Sequence, residues 1–502
     1  MIFLAYKHGT GGDFADSVAA SIAKTGAAAV YVGTAPVHQV GDYKSKVNKP
    51  VKLTSWDQAV SVMGYSDDWR KYTLCEAMYA HFSNAKGPVG PIYVINVLDP
   101  DVHRDDVATD VSVTFVANRA VIVDKDMVVS TFAIGDLVSG VDYSTSYDPL
   151  TGKLTITYLK AAAPTEVQSA SYYKVSLTDV TKDDVIGGVL DGKYKGLSAV
   201  RLLYQTYNKV PMLLAAPGWS HEYDVYKALL NAARKVNGHW DAYVYADLPV
   251  KGEVEGAEKL DTRDGAMAYK ASHTYDSERS SVCWPMGRDT LGNKYHLSTQ
   301  YIVEMLRLLS VHKDIPYESA SNKTVPLVGM WFGEGSTAEA YDEPDANELN
   351  AVGISTLSYA EASWRLWGGH TAAYVDEADI DPRCVFDTNI LMMMHLTNRF
   401  QRVWAKDIDK PMTVSKKDEI LVAEGRYLKY LVNEGALIGT PKATFEAKDN
   451  PTSSLVQGDF KFKHLVTPTP QAKSLETGVA YTDAGVTSYF GAASTGDEEV
   501  AE

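Results

Sequence analysis

VPMLLAAPGWSHEYDVYKALLNAARKVNGHWDAYVYADLP, residues Val210 to Pro249, decides the fold. It opens on a short apolar run that stops at Pro217-Gly218 and closes on a second run, WDAYVYADLP. Short apolar runs bounded by turn residues read as strands buried on both faces. Between them Val225, Leu229, Ala232 and Val236 recur at helical spacing, and Asn237-Gly238 ends the pattern. Ser220 is the expected cap of that helix, with Glu222 and Asp224 in its first turn. Strand, helix, strand is the repeating unit of an α/β core.

The same grammar extends in both directions. Upstream, AAAVYVGTAP (Ala27 to Pro36) reads as a strand, PVKLTSWDQAVSVMG and DDWRKYTLCEAMYAHFSNA as helices, and PVGPIYVINVLDP (Pro88 to Pro100) as a strand. Between His103 and Gly187 alternation replaces the helical period, and YDPLTGK has the residues of a hairpin turn. That stretch reads as a small β-rich domain inserted into a loop. Downstream come a helix near TQYIVEMLRLLSVH, the longer helical segments TNILMMMHLTNRFQRVWAK and SKKDEILVAEGRYLKYLVNEGAL, and a strand in QGDFKFKHLV. The predicted organisation is multidomain α/β (α+β). It begins with an N-terminal arm (1–26), the first stretch of an α/β core (27–102) and an inserted outer domain (103–187). The second stretch of the core (188–375), a C-terminal α+β domain (376–475) and a C-terminal arm with acidic tail (476–502) complete it.

Composition narrows the function. Forty-eight basic against 64 acidic side chains leave a net charge of −16 over 502 residues, which argues against direct nucleic-acid binding. No stretch approaches the roughly 18 apolar residues that cross a bilayer, so no membrane insertion is expected. The opening MIFLAYKHGTGGDF lacks the apolar core of a secretory signal, and three cysteines, Cys75, Cys283 and Cys384, make no disulfide framework. Synthesis in a reducing cytoplasm follows as the simplest expectation.

Chemistry is sparse. The 12 histidines include no HExxH-type spacing and no paired Cys/His cluster, so neither a metal nor a cofactor is expected. HGTGGDF (His8 to Phe14) lacks the Gly-Lys-Ser/Thr ending of a phosphate loop. Gly218-Trp219-Ser220-His221-Glu222 resembles a nucleophile elbow, but Glu222 stands where tight packing usually requires a second glycine. The carboxylates of YDEPDANELN (Tyr341 to Asn350) read as a solvated acidic loop, and Met392-Met393-Met394 as core filling or a subunit contact.

Taken in order, these segments resemble the contractile tail sheath family of myophage tails, R-type bacteriocins and related injection machines. The stretches that carry the resemblance are AVYVGTAPV with NKPVKLTSWDQAVSVMGY, then PMLLAAPGWS with WDAYVYADLP. DIPYESASNKTV, NELNAVGISTLSY and WRLWGGHTA follow, and finally YLVNEGALIG with KDNPTSSLVQGDFKFKHLVTPTPQAKSLE. The opening MIFLAYKHGTGG departs from the family's usual short Pro-Gly-Val-Tyr-like strand, and ESASNK stands where a Pro-Ser-Asn type sequence is more usual.

The resemblance implies a structural subunit without an active site. It implies hexameric rings stacked around a tail tube, whose contraction drives the tube through a cell envelope, as in phage genome delivery. Implied partners are further copies of the chain, the tube protein, and baseplate and tail terminator proteins. The implied location is a virion tail assembled in the host bacterial cytoplasm. Terminal arms would add strands to neighbouring subunits, with Ile2, Phe3, Leu4, Val479, Tyr481, Val486, Tyr489 and Phe490 as linking residues. Arg399, Arg402, Lys406, Lys416, Lys417, Arg426 and Lys429 would face the tube. Two alternatives stay open: the sheath of a bacteriocin or cellular injection system, and an α/β hydrolase with Ser220 as nucleophile.

Overall fold

The computed structural model describes residues 23–254, 259–338 and 340–491. Residues Ile2, Phe3 and Leu4 and the glycine-rich His8 to Phe14 lie outside that range. The chain divides at Thr469/Pro470 into two units.

An eight-stranded sheet organises the first unit. Its strands are β1 (Ala23–Gly33), β2 (Pro50–Leu53), β3 (Val89–Asn96), β4 (Pro211–Ala215), β5 (Tyr243–Asp247), β6 (Ser280–Cys283), β7 (Ile354–Ala360) and β8 (Ser363–Trp367). The order is β8-β7-β6-β5-β4-β1-β3-β2. Six central strands run parallel, and β2 and β8 close the two edges antiparallel. All five residues of β5 are buried, as expected of a parallel strand covered on both faces. The edge strand β2 is an addition: PVKL pairs with β3 before the first helix begins.

Helices α1 (Trp56–Met63), α2 (Thr73–Phe82), α3 (Tyr223–Ala233), α4 (Arg263–Ser272), α5 (Leu297–Val311) and α6 (Glu343–Ala351) accompany the sheet. Along α5 the residues from Leu297 to Leu306 are all buried, so that the first two-thirds of the helix is an internal strut rather than an amphipathic cover.

Two three-stranded antiparallel sheets fill the region from Thr109 to Tyr172, around a separate apolar cluster that includes Val113, Met127, Ile134, Leu154 and Ile156. The Asp148–Lys153 turn joins two of its strands. The region is fastened to the main core by Val128, Val175, Val180 and Val185. His38 reaches it as well, its Nε2 lying 2.9 Å from the Lys125 carbonyl. Burial lowers the His38 pKa to about 4, which keeps the ring neutral.

Beyond the sheet, α7 (Asp387–Trp404) and α8 (Val414–Asn433) form a helical hairpin, backed by the two-stranded antiparallel sheet of β9 (Leu437–Thr444) and β10 (Lys463–Pro468). A third cluster, with Met392, Leu396, Leu428, Leu431 and Leu437, is their core. Helix α7 belongs to two cores: Ile390, Leu391 and Met394 pack with the main one, Met392 and Leu396 with the smaller. The second unit carries α9 (Ala484–Gly491).

Candidate assembly surfaces and a buried ionic cluster

The enzyme-like motif resolves first. Ser220 does not cap α3: Glu222 is the N-cap residue, and no side chain caps that end. The Ser220 hydroxyl is fully buried, accepts the Asp247 N–H at 2.9 Å and lies 3.4 Å from Oδ2 of the same residue. Asp247 also takes the Ser298 N–H at 2.9 Å and the Ser298 hydroxyl. Three chain segments are thereby pinned at the carboxyl end of β5.

The neighbouring histidine is committed elsewhere. The His296 N–H donates to Glu76 Oε1 at 2.9 Å, its Nδ1 meets Oε2 at 2.7 Å, and its Nε2 lies 3.8 Å from Glu253. Burial alone would depress His296, but the charges of Glu76, Asp247 and Glu253 raise it to about 10. Burial likewise pushes Asp247 up to about 6, against the attraction of His296.

A hydrolase needs the imidazole on the serine and the serine at the surface. Here a carboxylate holds the serine inside the protein. The cluster is a fastener, and a cavity of about 430 Å³ opens beside it, lined in part by Glu76, His221, Glu253 and His296. Among the described residues no three histidine, cysteine or carboxylate side chains converge to hold a metal ion.

The α7–α8 hairpin sorts the seven candidate tube-facing cations into two groups. Arg399 is spent inside the domain: its Nη1 contacts both oxygens of Glu424 at 2.8 and 3.1 Å, and its guanidinium lies 3.5 Å from the centre of the Tyr427 ring. Lys416 bridges Asp407 and Glu419 and lies over Trp404, while Lys417 pairs with Asp418. Arg402, Lys406, Arg426 and Lys429 are exposed, with no side-chain partner among the described residues.

Val422, Arg426, Lys429 and Asn433 are all exposed, and their spacing of four, three and four makes one outward stripe on α8. Of the methionine run, Met392 and Met394 are buried and Met393 is exposed.

Glu424 is the residue that pattern reading passed over. It is buried on α8 and accepts from Arg399 and, at 2.7 Å, from the Trp404 indole of α7. His464 Nε2 of β10 lies 3.4 Å away. Burial acts to raise its carboxyl, but these partners hold it below the usual range. The signal was there: Ile420, Glu424, Leu428 and Leu431 form one buried helical stripe with an acid inside it.

The two-stranded sheet leaves one edge of β9 and one of β10 without a strand neighbour among the described residues. Its outward residues Ile438, Lys442, Leu465 and Thr467 are exposed. In the second unit Val479 and Tyr481 are exposed and in no strand. Val486, Tyr489 and Phe490 lie on α9, so their apolar period is helical rather than the alternation of a strand. The Asp483 carbonyl accepts the N–H groups of Val486 and Thr487 and starts that helix.

No family model matches the chain. The tail sheath protein of Burkholderia phage BcepMu is 26% identical over 469 residues, covering 89% of this chain and 91% of that one. The fold resembles a chain of the anti-feeding prophage baseplate, determined with 6-fold symmetrisation, at a TM-score of 0.55 and 12% identity, over 95% of this chain and 100% of that one. It also resembles a chain of the PVC extracellular contractile injection system sheath complex in its contracted state, at a TM-score of 0.52 and 11% identity, over 96% and 99%. Along nine-tenths of both chains the sequence is thus similar to a phage tail sheath protein, and its fold is shared with chains of two contractile injection systems.

Proposed function

We propose that the chain assembles as stacked hexameric rings around a tail tube and that contraction of the stack drives the tube through a target cell envelope, as in phage genome delivery. The full-length match to a phage tail sheath carries this reading. The 6-fold symmetry and contracted state of the two structural neighbours support it. The phage relative favours a virion tail, assembled in a bacterial cytoplasm with baseplate and terminator proteins. Because both structural neighbours are injection-system components, the sheath of a bacteriocin or cellular injection system is the second reading.

In this reading the domain roles follow. Residues 27–102 and 188–375 make the rigid core, residues 103–187 an outer decoration, and residues 376–475 the tube-facing domain. The open edges of β9 and β10 accept the arms of neighbouring subunits. Each added strand brings about five backbone hydrogen bonds at roughly 0.5–1.5 kcal/mol apiece. Of the seven candidate cations, Arg426 and Lys429 best fit the tube, because they project together from α8 with no partner of their own.

Negative-stain electron microscopy of the purified chain tests the assembly. Striated hollow cylinders are expected. Small monodisperse particles, persisting when tube protein is added, would overturn it.

A further inference from the structure

The cavity beside the ionic cluster is larger than a fastener needs. It lies past the carboxyl ends of β4, β5 and β6, where Gly218, Glu253 and Met286 line it, with Glu76 of α2 and His296, the N-cap residue of α5, among its buried walls. The sheet places β3 on one side of β1 and β4 on the other, so the strand order turns here. Crevices at such turning points are where open α/β sheets hold small molecules. At about 430 Å³ the cavity is far larger than one water requires and falls within the usual range of ligand pockets.

Its polar wall contains a gap of defined chemistry. Two buried imidazole nitrogens, Nε2 of His296 and Nδ1 of His221, have no hydrogen-bond partner among the described residues. The His296 side chain is 9% exposed, and with Nδ1 committed to Glu76 its Nε2–H is the free donor. Glu253 Oε1 stands 3.8 Å from that nitrogen, beyond hydrogen-bond reach, while Oε2 takes the Val250 N–H at 2.8 Å. A hydroxyl group fits such a gap, because it accepts from the nitrogen and donates to the carboxylate at once. An anion there would face Glu253, and a cation would face His296. The rest of the wall is balanced in the same way: Glu76 answers the charged His296, and Asp67, Asp68 and Glu253 answer Arg70, Lys251 and Lys294.

We propose that this cavity binds a small, uncharged polyhydroxylated molecule of sugar or polyol size, with one hydroxyl bridging His296 Nε2 and Glu253 Oε1 and another reaching His221 Nδ1. The site lies within one chain, so it stands apart from the assembly reading.

Saturation-transfer difference NMR on the full-length chain tests it. D-glucose, D-mannose, N-acetyl-D-glucosamine and glycerol serve as uncharged probes, and acetate and tetramethylammonium as charged ones. Saturable transfer to at least one uncharged probe is expected. Glu253→Leu should weaken that probe's apparent affinity about tenfold, as when one hydrogen bond to a charged group is removed. His221→Phe, which occupies part of the cavity and leaves the pair of Glu76 and His296 in place, should weaken it as well. Melting temperatures show whether each variant folds, and either one serves if the other does not. Transfer to none of the uncharged probes, transfer to the ions alone, or equal affinity in the parent and a folded variant would each overturn the site.

Discussion

The eight-stranded core and the α7–α8 domain share one helix yet are built to different standards. In the core, strands are buried on both faces, and hydrogen bonds hold the Glu76 carboxylate on His296 and the Asp247 carboxylate on Ser298. In the C-terminal domain the sheet has two strands, several outward residues are apolar, and one carboxylate, Glu424, ties the elements together. A body complete in itself suits transmission of force. A module with open strand edges and unpaired cations suits attachment to something else. Helix α7, packed into both, makes the joint.

Four experiments sharpen or break that contrast. Glu424→Ala leaves Arg399 and the Trp404 indole without their acceptor inside the domain and should cost about 3–5 kcal/mol. Denaturant unfolding should show the loss as an earlier transition of the C-terminal domain, with the core transition unmoved; a uniform shift of one transition would mean the two regions are not separable. Leu428→Ala, in the small core, should cost about 2–5 kcal/mol. Hydrogen exchange should then quicken along α8 and β9 while β4 and β5 stay protected.

Asp387, at the start of α7, tests the joint through pH. Burial pushes its carboxyl from the ordinary 3.8 up to about 7, against hydrogen bonds from the Thr388 N–H and the Tyr245 hydroxyl. The folded state therefore binds this proton more tightly than the unfolded one. Its contribution to stability is full below about pH 3.8 and is lost as pH rises toward about 7. Asp387→Asn should flatten that slope, so melting temperatures measured from pH 4 to 8 should fall less with rising pH than in the parent. Identical slopes would mean that this carboxyl is not what couples the joint to pH. The smallest effect on stability, within about 0.5 kcal/mol, is expected for Arg426→Glu with Lys429→Glu, because neither side chain has a partner to lose among the described residues. Co-sedimentation with tube protein should nevertheless weaken, and unchanged tube binding would remove these residues from the tube face.

Local pattern carried much of the architecture. The apolar runs of β1, β3, β4 and β5 and the stripe of α3 were legible because burial on one or both faces imprints a period on the chain itself. The loss of helical period after His103 marked the β-rich insertion for the same reason. One reading turned differently. Ser220 has the chemistry of a cap, yet the Asp247 carboxylate and N–H were nearer than the α3 terminus.

What the sequence determined by itself is therefore the set of elements, their buried faces and the likeness to sheath proteins, all properties of neighbours along the chain or of their order. The tertiary structure alone decided which polar groups meet. Glu76 finds His296 across 220 positions, and Glu424 gathers α7 and β10 around α8. A charged side chain carries no mark of its distant partner. Its energy depends on distance and desolvation, and these are set only once the chain has folded.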